Sequence, residues 1–299
     1  MTFNPGGLPV KYFSPSTIEE AVELLSSGPN RRVFAGATDV VPQMRSGRPA
    51  PDGLIDLKGI ERLISVTDTG SMWVIGAAAP TVRLTSNPAF VASFPGLAEA
   101  SGLIGSDQVQ SRSSLGGNLC NSSPAADSVP ALFANRARAV IASGAGTRTI
   151  AVQDVPTGPG RTSLAPGEFI IEFEIDRPTT NSGDAYFRLT PRTEMDIAVV
   201  GAGARVDLDG AGTISSATLA LGAVAPTVVR VPDAEAALLG AALTNGAPSD
   251  DVLAAVAAAA SAACNPIDDK RGTIKYRRHV AGVLARRSIL AAIARASAA

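Results

Sequence analysis

The sequence SSLGGNLCNSSPAAD, residues 113–127, crowds small and polar side chains together without the composition of a disordered linker. Gly116 and Gly117 have no Cβ atoms, so the chain can turn there with positive φ and let a ligand approach its backbone closely. The backbone N–H groups of such a turn form a concavity that suits a phosphate. An apolar helical run begins after Asp127, and its N-terminus would add the positive end of a helix dipole. We therefore predict a binding loop in this stretch.

Composition and charge narrow the class of protein. The 299 residues are 45% hydrophobic and 18% charged, enough for two or three packed units with sizeable cores. A net charge of −1 argues against nucleic acid as the main partner. The absence of a long apolar run and of a signal pattern predicts a cytoplasmic location. Because His279 is the only histidine, acid–base catalysis by the chain alone is not expected, and we predict that an organic cofactor carries any chemistry.

Helices and strands alternate over the first sixty residues, an order typical of a small α/β unit with parallel strand pairing. The first helix carries a capping-box pattern in Ser16 and Glu19. The turn at residues 35–39 lies between a strand end and a helix start, where α/β proteins place phosphate groups, although it could also be an ordinary turn that caps the helix. The predicted elements are a helix at 16–28, a strand at 31–36, a helix at 38–47 and a strand at 54–57.

The remainder of the chain predicts a second lobe and then a separate sheet with helices. Residues 176–184, DRPTTNSGD, have the composition of a domain boundary. An antiparallel hairpin is predicted about residues 209–212. The long last helix is predicted to bury one face. That face contains Tyr276, Val280, Val283, Arg287 and Leu290.

Several stretches of the chain, in this order, resemble the FAD-binding subunit of the molybdenum hydroxylases. They are VFAGATDVVPQMR (33–45), SSLGGNLCNSSPAAD (113–127), FIIEFEI (169–175), YFRLTPRTEMDIAVVGAGARV (186–206) and NPIDDKRGTIKYRRHVAGVLARR (265–287). The resemblance implies an α+β fold with a two-lobed FAD-binding domain, a small α/β lobe plus a mixed β lobe, followed by a C-terminal antiparallel sheet with a helical bundle. The expected bounds are 1–178 for the FAD-binding domain, with lobes at about 1–58 and 59–178, and 179–299 for the C-terminal domain.

The resemblance also implies which residues contact FAD. Residues 33–40, the first segment, would wrap the pyrophosphate, and residues 114–118, the second segment, would close over it. Asp127 would hold a polar part of the cofactor. Ile104 and Ile170 would make apolar contacts, Ile170 near the isoalloxazine ring, and Arg188 stands where many relatives have a lysine beside the flavin. The implied cofactor-binding residues are Val33, Phe34, Ala35, Gly36, Ala37, Thr38, Asp39, Val40, Ile104, Ser114, Leu115, Gly116, Gly117, Asn118, Asp127, Ile170 and Arg188.

Each of the isolated positions has a structural alternative. Asp127 could serve only as the N-cap of the following helix. Ile170 could be a core residue of its strand, and Arg188 could be a surface arginine. Ala37 stands where relatives commonly have a second glycine, so a positive φ there would be strained.

The resemblance implies a hetero-trimer, often doubled. Substrate would be hydroxylated at a molybdenum-pterin centre in a large subunit, and electrons would cross 2Fe-2S clusters in a small subunit to FAD in this chain and then to an external acceptor. FAD would be held non-covalently, since the first segment contains no histidine. Two alternatives stay open: a self-standing flavin oxidoreductase with Tyr186 as its acid–base group, and a flavin-less scaffold subunit.

Overall fold

The computed structural model describes residues 10–193 and 195–298, and the predicted α+β fold class is confirmed within them. The predicted domain bounds also include residues 1–9, 194 and 299, which lie outside the described residues. Within the described part of the chain, no helix is both long and apolar enough to cross a membrane.

The first lobe is a parallel sheet with two helices, as the alternating pattern predicts. Its elements are β1 (Lys11–Phe13), α1 (Ile18–Ser26), β2 (Arg31–Phe34), α2 (Val40–Arg45) and β3 (Gly53–Asp56). The order across the sheet is β1-β3-β2, and both strand pairs are parallel. Strand β1 was not predicted from the sequence, because three residues are too few to show an alternating pattern.

The start of α1 differs by one residue from the predicted capping box. Thr17 Oγ1 accepts a hydrogen bond from the backbone N–H of Glu20 at 3.1 Å, and Glu20 Oε2 accepts one from the N–H of Ser16 at 2.8 Å. The prediction of Ser16 and Glu19 is therefore wrong, because the chain enters the helix one residue later.

The second lobe combines an antiparallel sheet with short helices. Its elements are α3 (Glu61–Ile64), β4 (Val66–Asp68), β5 (Met72–Gly76), α4 (Val82–Thr85), α5 (Pro88–Ser93), α6 (Pro95–Gly102), α7 (Asp107–Gln110), α8 (Leu115–Cys120), α9 (Ser128–Ala134), β6 (Arg138–Ser143), β7 (Gly146–Ala151), β8 (Pro156–Gly158), β9 (Arg161–Thr162) and β10 (Phe169–Asp176). The main sheet has the order β4-β5-β10-β6-β7, and every described pair in it is antiparallel. The main sheet of this lobe is thus antiparallel, whereas the prediction of a mixed β lobe also allowed parallel pairs.

The central strand β10 joins the two lobes. Its pairing with β6 shifts register between Ile170 and Glu172, a bulge that changes which face each side chain takes. Phe169 and Ile171 pack into the core shared with the first lobe, whereas Ile170 and Phe173 pack into the core under the helices of the second lobe. One strand therefore contributes to both cores.

The C-terminal part is an antiparallel sheet covered by helices. Its elements are β11 (Ser182–Leu189), β12 (Val200–Leu208), β13 (Ile214–Gly222), β14 (Val229–Arg230), α10 (Pro232–Leu238), α11 (Asp250–Ala262) and α12 (Ile274–Ala298). The strands lie in chain order, and the predicted hairpin at residues 209–212 is confirmed between β12 and β13. Helix α12 packs against β11, β12 and α11.

The buried face of α12 is not the predicted one. Of the five residues on the predicted face, only Val280 is buried; Tyr276 and Arg287 are exposed, and Val283 and Leu290 are half-buried. The helix lies between a sheet and a second helix, so it buries a wide side on which small residues alternate with Leu284, Ile289 and Ile293. The buried side chains are Arg277, Val280, Ala281, Leu284, Ala285, Ser288, Ile289, Ala292, Ile293 and Ala296.

The glycines of the GAGARV stretch in β12 have a packing role. A Cβ added at Gly203 would lie 2.5 Å from the carbonyl oxygen of Pro130 in α9, and one added at Gly201 would lie 2.7 Å from the hydroxyl of Tyr186. Gly203 therefore lets α9 approach the sheet closely, and Gly201 makes room for the Tyr186 hydroxyl. The C-terminal sheet is thereby brought against the start of α9, next to Asp127.

Candidate functional site

The first predicted segment, residues 33–40, is a strand end, a turn and a helix start. β2 ends at Phe34, α2 begins at Val40, and Ala37 between them has φ of 62°. A left-handed residue other than glycine costs about 1 kcal/mol, so the chain tolerates strain here. None of the backbone N–H groups of residues 36–39 donates to an acceptor within the described residues. Such a row of free donors is a place for an anion.

Two cationic side chains hold the carbonyl groups of this turn. Lys58 Nζ donates to the carbonyl oxygen of Ala35 at 2.7 Å and to Asp56 Oδ1 at 2.6 Å. Arg112 Nε donates to the carbonyl oxygen of Gly36 at 3.2 Å. Neither Lys58 nor Arg112 was predicted from the sequence, although Lys58 follows the end of a parallel strand, a position where α/β proteins bind ligands.

The second predicted segment, residues 114–118, is the start of α8 and not a loop. Ser114 Oγ accepts from the N–H of Gly117 at 3.1 Å, and the N–H of Gly116 donates to the carbonyl oxygen of Ala77 at 3.1 Å. Neither glycine has positive φ, so that prediction is wrong. The N-cap bond from Ser114 stabilises a helical turn that two glycines alone would disfavour.

The two glycines of this segment face opposite environments. A Cβ added at Gly116 would lie 2.5 Å from the carbonyl oxygen of Ala77, whereas one added at Gly117 would meet only Ser114 Oγ, at 3.3 Å, within 4 Å. Gly116 is therefore needed for packing. The face of α8 at Gly117 is open to a ligand.

The two segments are joined through residues that flank them in the chain. A Cβ added at Gly36 would lie 1.7 Å from the carbonyl oxygen of Arg112, so only glycine permits this approach. Gln43 Nε2, in α2, donates to Asn121 Oδ1 after α8 at 2.9 Å. The first segment and the start of α8 are thus held together across the two lobes.

Asp127 forms a buried cluster with two residues of β11. Its carboxylate accepts hydrogen bonds from Tyr186 Oη at 2.8 Å and from Arg188 at 2.7 Å. Asp127 occupies the N-cap position of α9, but its side chain makes no capping bond. The side chain of Arg188 is only 8% exposed. The alternatives of a simple N-cap for Asp127 and a surface arginine at Arg188 are therefore wrong.

The cluster has unusual acid–base properties. Burial raises the pKa of Asp127 to about 6, although Arg188 and the Tyr186 hydrogen bond oppose the shift. Burial, together with the neighbouring Asp127 charge, raises the pKa of Tyr186 well above its usual range. Tyr186 is therefore a fixed hydrogen-bond donor at neutral pH.

The two predicted isoleucines lie in different surroundings. Ile170 is 3% exposed, in the core that also contains Leu115 of α8. Ile104 is half-buried in the turn between α6 and α7, and α7 leads to Arg112 and the second segment. Their contacts with a cofactor stay predictions.

The described residues fit a dinucleotide with a diphosphate. Four free backbone donors are available for its oxygens, and α8 offers a face without side chain at Gly117. Asn118 Oδ1 accepts from Ser128 Oγ at 2.7 Å, so the second segment is tied to the start of α9 beside Asp127. The donors come from the first segment, because the N–H groups of Gly116, Gly117 and Asn118 are already bonded within the chain.

Two family models together match most of the chain. Residues 8–178 match the FAD binding domain in molybdopterin dehydrogenase, which includes both segments. Residues 185–292 match the CO dehydrogenase flavoprotein C-terminal domain, which includes Tyr186 and Arg188.

Individual relatives are similar over almost their whole length. The carbon monoxide dehydrogenase medium chain of Hydrogenophaga pseudoflava is 33% identical over 286 residues, 95% of this chain and 97% of the relative. The putative xanthine dehydrogenase FAD-binding subunit XdhB of Escherichia coli (strain K12) is 30% identical over 291 residues, 95% of this chain and 96% of the relative. A solved structure of carbon monoxide dehydrogenase from Hydrogenophaga pseudoflava superposes with a TM-score of 0.90 at 34% identity, covering 96% of this chain and 98% of the other.

Proposed function

The chain belongs to the family of FAD-binding subunits of molybdenum hydroxylases, and we propose that it binds FAD non-covalently and passes electrons from 2Fe-2S clusters of a partner subunit to an external acceptor. It is a component of an oxidoreductase. The observation that carries the proposal is the row of free N–H groups at residues 36–39 beside the open face of α8. Non-covalent binding is supported by the lack of histidine in either segment.

The diphosphate of FAD would lie against the turn at residues 35–39, and Gly117 would let it approach α8. The Asp127 carboxylate would hold a polar part of the cofactor while Tyr186 and Arg188 fix its position. Val33, Phe34, Val40, Ile104 and Ile170 would contribute apolar surface. When bound, the flavin supplies the redox chemistry that connects one-electron iron–sulfur centres with the acceptor.

The assembly that we propose is a hetero-trimer, often doubled, with a large molybdenum-cofactor subunit and a small 2Fe-2S subunit. It is supported by the relatives, one of which is called the medium chain of carbon monoxide dehydrogenase. We also propose the domain division at residue 178, because one family model ends there and the next begins at residue 185. The cytoplasmic location stays a prediction.

The structure gives no support to a self-standing flavin oxidoreductase that uses Tyr186 as its acid–base group. The hydroxyl of Tyr186 is buried and donates to Asp127, and its pKa is raised well above the usual range. A phenol held in this way does not exchange its proton readily near neutral pH.

The first test of the proposed function is the identity of the bound chromophore. We expect the purified full chain to show flavin absorbance, and heat release followed by chromatography to give FAD rather than FMN, at about one per chain. A chain that binds no flavin even after incubation with excess FAD would support the scaffold alternative.

Replacing Asp127 by Asn should remove a pH dependence of folding stability. The pKa of Asp127 is about 6 in the folded chain, against an ordinary value of 3.8, so the folded chain binds this proton more tightly than the unfolded chain. Ionisation therefore costs the wild type stability as pH rises from 4 to 7, by about 1–3 kcal/mol relative to the Asn variant. The measurement is the free energy of unfolding against pH, in the absence of FAD.

The prediction concerns how the free energy of unfolding changes with pH, and not its value at one pH, because the Asn variant also leaves Arg188 without its ion pair. The matched control is Asp154→Asn, at an exposed position. Parallel pH profiles for wild type and Asp127→Asn would contradict the raised pKa.

A further inference from the structure

The two cations beside the first segment hold consecutive carbonyl groups. Lys58 Nζ is 2.7 Å from the carbonyl oxygen of Ala35, and Arg112 Nε is 3.2 Å from that of Gly36. In a planar trans peptide the C=O and the following N–H point in opposite directions. Holding these two carbonyls therefore turns the N–H groups of Gly36 and Ala37 to the other side of the turn.

Resting on the proposed function, we infer that Lys58 and Arg112 are positioning residues that fix the peptides of the first segment so that their N–H groups face the FAD diphosphate. Neither side chain needs to touch the cofactor. If a peptide turned over, its carbonyl oxygen would face the negatively charged phosphates, and one donor would be lost.

Lys58 is itself held in place. Asp56 Oδ1 accepts from Lys58 Nζ at 2.6 Å and from the Lys58 backbone N–H at 3.0 Å, and Asp56 Oδ2 accepts from Tyr12 Oη at 2.8 Å. The ammonium also lies 4.7 Å from the ring centroid of Phe34, a cation–π contact. A lysine fixed in this way before the ligand arrives reduces the ordering cost of binding.

The position of Ala37 shows why such support is needed. Its φ of 62° lies in the left-handed region, which an alanine leaves readily unless the surrounding structure fixes it. Arg112 also joins the two cofactor segments, since it precedes Ser114 in the chain and bonds to Gly36. The first segment is thus held at Ala35 by Lys58 and at Gly36 by Arg112.

The test compares Lys58→Met with Lys58→Arg and with Lys11→Met, an exposed lysine of the same sheet. The full chain is freed of flavin, and FAD, ADP and riboflavin are titrated separately. Loss of a charge-assisted hydrogen bond should weaken FAD and ADP by about 10- to 100-fold in Lys58→Met, with riboflavin little changed, because riboflavin has no phosphate. Lys58→Arg should recover most of the lost affinity.

A double variant, Lys58→Met with Asp56→Asn, separates positioning from net charge. It leaves the total charge unchanged and removes the buried carboxylate that a single variant would leave unpaired, so it also guards against a misfolded Lys58→Met chain. The loss of FAD and ADP affinity should persist in it. Arg112→Met should weaken the same two ligands while the Lys58–Asp56 pair stays intact.

Two results would overturn the inference. One is FAD affinity in the double variant and in Arg112→Met within about twofold of Lys11→Met. The other is an equal loss for riboflavin and ADP, which indicates general damage to the site. A wild-type chain that binds no FAD would instead refute the proposed function, so the two failures are distinguishable.

Discussion

Gly117→Val should give a folded chain that no longer retains FAD. Within 4 Å, a Cβ at this position would meet only Ser114 Oγ, at 3.3 Å, a tight contact that a small shift of the serine side chain would relieve, so we expect the chain to fold. The valine methyl groups would project from the open face of α8, where FAD must approach the protein backbone closely. We expect flavin absorbance to be lost on gel filtration and FAD affinity to fall by more than about 100-fold.

The neighbouring glycine supplies the control, because Gly116→Ala should lower the stability of the fold rather than block the approach of FAD. Its Cβ would lie 2.5 Å from the carbonyl oxygen of Ala77, and the backbone there has little freedom to move. We expect a lower free energy of unfolding by about 1–3 kcal/mol, measured by urea denaturation. Full flavin occupancy in Gly117→Val would remove the second segment from the cofactor site.

Local sequence patterns are sufficient to predict those helices and strands in which apolar and polar residues alternate with a regular period. The first lobe is predictable because apolar runs and helix caps alternate, and a parallel sheet follows from that order. The hairpin of β12 and β13 is predictable from alternating residues about a turn at residues 209–212. The order of the stretches that resemble the molybdenum hydroxylase family adds which segments are expected to bind FAD.

The start of α8 shows where local preference is overruled. Two consecutive glycines favour a turn, yet Leu115 and Leu119 are 1% and 0% exposed in the core, and their burial fixes the segment as a helix. Gly116 instead permits the close approach of Ala77, and Gly117 leaves the opposite face of α8 open. Their positions were predictable, but not their conformation.

Contacts between residues far apart in the chain could not be predicted from the sequence. The Lys58 ammonium reaches the carbonyl of Ala35 across 23 positions, and Arg112 reaches Gly36 across 76. Tyr186 and Arg188 meet Asp127 only after the C-terminal sheet packs on α9. Pairing of this kind depends on tertiary structure, and no periodic pattern in one sequence reports it.

Asp184→Ala should be among the most destabilising single substitutions in this chain. Asp184, in β11, is 3% exposed, and its carboxylate accepts hydrogen bonds from the N–H groups of Gly96 and Leu97 at 2.9 and 3.0 Å. It also accepts from Asn135 Nδ2 at 2.8 Å. Truncation would leave the N–H groups of Gly96 and Leu97 without an acceptor and would remove one of the two acceptors of Asn135 Nδ2, so we expect the free energy of unfolding to fall by about 3–5 kcal/mol in urea denaturation.

The destabilisation by Asp184→Ala is expected to be large because the residues that donate to Asp184 lie in other parts of the fold. Gly96 and Leu97 begin α6 and Asn135 follows α9, so Asp184 joins the C-terminal sheet to helices of the second lobe. Asp184→Asn keeps one acceptor oxygen and should recover part of the loss, whereas Asp154→Ala, at an exposed position, should cost under about 0.5 kcal/mol. Equal losses for Asp184→Ala and Asp154→Ala would mean that the carboxylate does not hold the two parts together. Because FAD binds only the folded chain, added FAD should restore part of the stability of Asp184→Ala by mass action, and a larger FAD-induced rise in the melting temperature at higher FAD concentration would check this.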